Sequence, residues 1–151
     1  MRAGMEKRSS QPWAADAIAA VEEEQAGHFE TDEELSPIVL REWPLYFAHY
    51  GAAEAGYLDT LKAESVNADT LKLFNEEIFN KFDLRSSLGE IGAPTLVITG
   101  DEDFICGPIC AEEISAGIRE ARMVMVGDAG HYVFVEQPQA FHDEVASFLE
   151  G

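Results

Sequence analysis

The stretch Pro94-Thr95-Leu96-Val97-Ile98-Thr99-Gly100-Asp101-Glu102-Asp103 decides how this chain is read. Between a proline and a glycine runs an unbroken series of apolar and β-branched residues, followed at once by three carboxylates. That pattern predicts a strand buried on both faces, as in a parallel sheet. A helical stretch carrying Ile109, Ile114 and Ile118 comes next, then a second apolar run, Met123-Val124-Met125-Val126, which leads into Gly127-Asp128-Ala129-Gly130-His131. A final helix bears Phe141, Val145, Phe148 and Leu149. The order strand, helix, strand, helix predicts a right-handed crossover that sets the two strands parallel, with both C-terminal ends on one edge. Open parallel sheets hold their ligands at that edge, so Asp103 and His131 are expected to face a shared site there.

Upstream, to about Arg85, the period is helical and no convincing strand occurs. Pro12-Trp13 opens a helix with Ala14, Ile18 and Val21 at i, i+4 and i+7, ending near Gly27. Thr31-Asp32-Glu33-Glu34 fits a capping box, after which Leu35, Val39, Trp43, Tyr46, Phe47 and Tyr50 form one stripe that Gly51 should stop. Pro37 falls in the first turns, where a missing amide costs little, whereas Pro44 lies mid-helix and should kink it at Trp43. A shorter helix is expected over 52–62, and a fourth from Asn67 or Asp69 with Leu71, Phe74 and Ile78 on one face. The aromatic stripe reads as core, with lining of a substrate pocket as the functional alternative.

Composition narrows the partners. In 151 residues, 29 acidic side chains against 10 basic ones give a formal charge of -19. Such a charge opposes phosphate backbones and anionic membrane surfaces, so neither nucleic acid nor membrane is an expected partner. The acidity could suit a cationic substrate such as a free amine, but a solvated acidic surface, salt-adapted or not, is the plainer reading and the one taken here. No apolar run approaches the ~20 residues a bilayer crossing needs, and the first residues lack a signal-peptide apolar region, so a cytoplasmic location is expected. Cys106 and Cys110 stand without nearby histidines or further cysteines and read as small apolar fillers; no metal and no cofactor is expected.

From about Ser9 onward these residues resemble the C-terminal half of an α/β-hydrolase, nearest to proline iminopeptidase-like (prolyl aminopeptidase) members with a helical cap. The segments that carry the resemblance are 91–103, Gly127-Asp128-Ala129-Gly130-His131, and Glu136-Gln137-Pro138 with Phe141. The resemblance implies a partial α/β-hydrolase fold: a helical cap over residues 8–82, then the C-terminal part of the core over 83–151, a β-α-β-α unit with two parallel strands. It also assigns the triad acid to Asp103, third after the strand-ending glycine, and the triad base to His131. In such a triad the histidine takes a proton from a weak nucleophile and hands it to the leaving group, while the carboxylate fixes its tautomer and stabilises the imidazolium. Family members use cap acidic groups to hold a substrate's free α-amine; Glu42, Glu76 and Glu77 are candidates by location, each otherwise a solvated helix residue. His28, His49 and His142 follow no recurrent spacing and read as surface or structural. Asp101 and Glu102 neighbour the acid but sit out of its register.

One part of the family pattern does not occur in these 151 residues. No serine lies in a Gly-x-Ser-x-Gly frame, and Ser86 and Ser87 read as the start of a short helix. Without the nucleophile elbow and its oxyanion donors, the chain is expected to be a truncated half of the fold that is inactive alone. In a complete enzyme the substrate would be a small molecule or an N-terminal peptide. A complementing N-terminal half, or self-association through the unpaired sheet edge, is the expected protein partner. The alternative is a non-catalytic association or ligand-binding module built on the same fold.

Overall fold

The computed structural model describes residues 2–61, 66–79 and 81–151. The chain divides into two compact units. One comprises Asp83–Gly151 with Tyr46–His49 and the first few residues, and the other comprises Met5–Leu45 and Tyr50–Phe82.

The first unit is built on two parallel strands, β1 (Thr95–Gly100) and β2 (Ala121–Val126). They are paired in register from Thr95 opposite Ala121 to Gly100 opposite Val126. A 3-10 turn, Arg85–Glu90, precedes β1 and contains Ser86 and Ser87 as expected. The crossover helix is Pro108–Gly117, begun by a proline whose missing amide lies where helices leave amides unpaired anyway. After β2 come a single turn, Val133–Glu136, and the C-terminal helix Pro138–Glu150, also opened by proline. Val126, Ala129 and Val133 form a buried cluster, with Ile98, Val124 and Phe141 packed against it. The alternation of strand and helix thus appears where the change of period placed it.

The strands are less covered than their sequence suggests. In β1 only Thr99 and Gly100 are buried, in β2 only Val126, and Met125 is 48% exposed. A strand written for burial on both faces needs layers on both sides and strands on both edges. Among the described residues the sheet has two strands, so each has one unpaired edge.

The second unit is helical. Numbering helices from the start of the chain, α1 is Arg2–Arg8, of which Met5–Arg8 belong to this unit, α2 Ala14–Gln25, α3 Asp32–Glu42, α4 Ala52–Leu61 and α5 Ala68–Leu73. The crossover helix, the turn after β2 and the C-terminal helix are then α6, α7 and α8. Helix α1 was not expected. The Thr31 cap forms as read, accepting from the Glu34 amide at 3.3 Å, while the Glu34 carboxylate accepts from the Glu30 amide at 2.7 Å, one residue before the Thr31 amide that a capping box would use. Asn67 caps α5 through the Thr70 amide. Leu35, Ile38, Ala20, Phe29 and Ala68 make the core of this unit. Pro44 does more than kink α3. The helix ends at Glu42 and residues Trp43–Tyr46 form a 3-10 turn, so the aromatic stripe does not continue to Tyr50 on one helix. Helix α4 is described to Leu61, and its expected last residue, Lys62, lies outside the described residues. Following α5, Phe74–Ile78 form a π-helical turn.

Candidate functional site

At the C-terminal end of the two strands, the backbone arranges two loops so tightly that side chains are excluded from their junction. The amide of Asp101 donates to Val126 O at 3.0 Å, and that of Glu102 to Ala129 O at 2.9 Å, tying the loop after β1 to the loop after β2. A Cβ on Gly100 would run into the carbonyls of Ala129 and Gly130, and one on Gly130 into the backbone of residues 46–48. Both glycines are therefore required by close backbone approach. Asp128, at φ 54°, makes the left-handed turn that redirects the chain toward His131.

These loops bring Asp103 and His131 together. His131 Nδ1 lies 3.0 Å from Asp103 Oδ2. The other carboxylate oxygen, Oδ1, accepts from the amides of Ile105 at 2.9 Å and Cys106 at 3.1 Å. The Asp103 side chain is only 7% exposed while that of His131 is 35% exposed, so the carboxylate is sequestered and the ring can still be reached. Burial would push the Asp103 carboxyl up, but the His131 hydrogen bond and the two amides together outweigh it and hold the group below its usual range. The same hydrogen bond raises His131, against the smaller opposing effect of burial. With Nδ1 committed to the carboxylate, Nε2 is the ring nitrogen left for proton exchange.

The sequence did not single out the surroundings of this pair. Tyr46 meets the His131 ring edge-on at 5.6 Å and Phe104 at 5.5 Å, and Tyr132 stacks against Tyr46 at 5.9 Å. The His131 amide donates to Tyr46 O at 2.7 Å. Tyr46 belonged to the stripe read as core, with pocket lining as the alternative; its contact with the histidine depends on the helix ending at Glu42. Glu136 accepts from the Gly130 amide at 2.6 Å through Oε2, and from Ala48 at 2.8 Å and His49 at 3.1 Å through Oε1.

Other candidates lie elsewhere. Glu42 is in the second unit, 3% exposed rather than solvated, and it is hydrogen-bonded to Glu24. Burial, then the neighbouring Glu24 carboxylate, pushes Glu42 up to about 8. Glu76 and Glu77 are exposed on the π-helical turn, and Glu77 pairs with Lys81 at 2.6 Å. Asp101 Oδ1 accepts from the Ala129 amide at 3.4 Å. Cys106 is exposed, not a filler, and Cys110 is half-buried. His49 is exposed, 3.9 Å from Asp128. Among the described residues no group of three or more His, Cys, Asp or Glu is arranged to hold a metal ion, and no helix is long and apolar enough to cross a membrane.

Two parallel strands joined through a helix, with an acid after the first and a histidine after the second, define a partial α/β-hydrolase fold. The comparisons agree. A family model described as TAP-like protein matches residues 80–151. Proline iminopeptidase PfmaB of Pestalotiopsis fici is 31% identical over 134 residues, spanning 89% of this chain and 47% of that protein. Among solved structures, a hydrolase from Pseudomonas aeruginosa superposes with a TM-score of 0.62 at 32% identity, covering 89% of this chain and 51% of the other. An esterase from Exiguobacterium antarcticum superposes at 0.68 and 18% identity, covering 91% and 48%, and supports the fold alone. The chain belongs to the α/β-hydrolases and corresponds to the C-terminal half of their fold. It spans about half the length of these relatives.

Proposed function

We propose that this chain supplies the acid and the base of a serine-hydrolase-type triad, and that the nucleophile comes from a partner segment carrying the Gly-x-Ser-x-Gly elbow. The observation that carries this reading is the 3.0 Å contact between a sequestered Asp103 and a partly open His131. In the assembled site, His131 Nε2 takes the proton of the serine hydroxyl as the oxygen attacks the substrate carbonyl. It then gives that proton to the departing amine or alcohol. Water hydrolyses the acyl-enzyme by the same route in reverse, and Asp103 holds the ring and stabilises the imidazolium in both halves. The likeness to a proline iminopeptidase favours peptides with N-terminal proline as substrates, with small esters as the competing class.

In this reading the helical residues 8–82 form the cap. Glu42, buried beside Glu24, and the exposed Glu76 and Glu77 remain the candidates for holding a substrate α-amine. Hydrolysis of a proline anilide and of a 4-nitrophenyl ester, measured after mixing the chain with a polypeptide bearing the elbow, tests the assignment. His131→Ala and Asp103→Ala should each lower turnover by orders of magnitude. One observation favours a second reading as a non-catalytic association module: no Gly-x-Ser-x-Gly frame occurs in these residues, while the sheet offers an unpaired edge. That reading predicts that both variants retain full function in the complex.

A further inference from the structure

Glu136 lies at the end of α7, five residues beyond the histidine, and its carboxylate is the meeting point of two segments distant in sequence. One segment is the histidine loop, through the Gly130 amide; the other is Tyr46–His49, through the amides of Ala48 and His49. The His131 amide closes the arrangement by donating to Tyr46 O. Four hydrogen bonds thus fasten the histidine loop to one four-residue segment, and three of them end on a single side chain. A carboxylate accepts at both oxygens and donates nowhere, so it is the side-chain type suited to three converging N–H groups.

We propose that Glu136 is the positioning residue of the acid–base pair: by gathering these three amides it holds the Gly130-His131 loop where the imidazole reaches Asp103. This rests on the reading of Asp103 and His131 as that pair. The geometry around the loop gives Glu136 its leverage. Gly130 sits against the backbone of residues 46–48 with no space for a Cβ, so the loop cannot settle closer, and its contact with the segment depends on the amides meeting an acceptor. The Tyr46 ring rests edge-on against His131, so a displaced segment also removes one wall of the imidazole's site. Replacing the carboxylate with an amide turns one acceptor into a donor that faces a donor.

The test is an NMR titration of the His131 ring with observation of its Nδ1–H proton, in the intact chain and in Glu136→Gln, Glu136→Asp and Asp103→Asn. The expected result is that Glu136→Gln keeps the fold by circular dichroism, while the His131 midpoint falls by about half a pH unit or more toward its ordinary value and the Nδ1–H signal weakens. Glu136→Asp keeps the charge but shortens the reach, and should move the midpoint in the same direction. An unchanged midpoint and signal in a folded Glu136→Gln overturns the proposal, as does loss of folding in both Glu136 variants, which would assign Glu136 to the fold alone. Asp103→Asn separates this from the underlying reading. If that variant lowers the midpoint and Glu136→Gln does not, only the positioning role fails. If Asp103→Asn also leaves the midpoint unchanged, the pair itself is not coupled.

Discussion

A carboxyl group removed from water ordinarily holds its proton more tightly, yet Asp103 is held below its usual range because three donors converge on it. The opposite shifts of Asp103 and His131 define a stability window. The lowered Asp103 contributes stability that is present above the ordinary carboxylate value and lost as pH falls through its folded value. The raised His131 contributes stability that is present below about 6.5 and lost as pH rises through its folded value. The pair should therefore stabilise the fold most between about pH 4 and 6.5, by about 1 kcal/mol given the partial exposure of the ring. Chemical denaturation across pH should show Asp103→Asn costing most inside that window and less above pH 8, where the share from protonated His131 is gone and the amides of Ile105 and Cys106 still favour the carboxylate; a pH-independent cost would contradict the coupling. Glu42 has the reverse carboxylate behaviour. Burial and Glu24 raise it to about 8, so its contribution is present below about 4.5 and fades as pH climbs through 8. Glu42→Gln, which cannot ionise, should be more stable than the parent at pH 9 by about 1–3 kcal/mol, and a variant less stable there would argue against a protonated Glu42.

At the scale of elements, the site depends on where strands and helices stop. Gly100 closes β1 and Gly130 precedes His131, and each passes within contact of backbone where a Cβ has no room. Gly130→Ala should cost about 1–3 kcal/mol and also lower the His131 midpoint, because relief of the clash moves the histidine loop. A thermal melt and an NMR titration of that variant check both effects. The β-α-β unit was legible in the sequence because Pro94, Gly100 and the two apolar runs agree on period, length and boundaries. That Asp103 and His131 share one end of the sheet was legible because a parallel pair places both loops there, whereas the choice of Asp103 over Asp101 and Glu102 came from the resemblance to the α/β-hydrolases. Their aromatic surround was not. Tyr46 reaches the histidine only because α3 ends at Glu42, and helical periodicity carries no signal for a proline converting the next turn to 3-10 geometry. Glu136 was visible as part of a segment that carries the family resemblance, but two of its three amide partners, Ala48 and His49, are distant in sequence and depend on tertiary approach. The exposure of the strands was misjudged for a related reason: the apolar pattern records the covering a strand is suited to, and two strands alone do not supply it.

For the whole molecule, two tendencies oppose each other. The unpaired strand edges and exposed apolar side chains such as Ile109, Phe134 and Leu149 favour association, while a formal charge of -19 drives copies apart. Self-association should accordingly grow with protein concentration and with added salt, which screens the charge. Size-exclusion chromatography with light scattering measures this directly, and a monodisperse, cooperatively melting monomer at all salt concentrations would show that the edge does not drive association. The central proposal concerns chemistry: that Asp103 and His131 serve as the acid and base of a hydrolase triad whose serine lies outside these 151 residues. A fluorophosphonate probe, which labels activated serines, tests that claim most directly. The account predicts no labelling of the chain alone, and labelling of the partner's serine once a polypeptide with the Gly-x-Ser-x-Gly elbow is added, lost again in His131→Ala. Labelling of any serine in this chain by itself would contradict it.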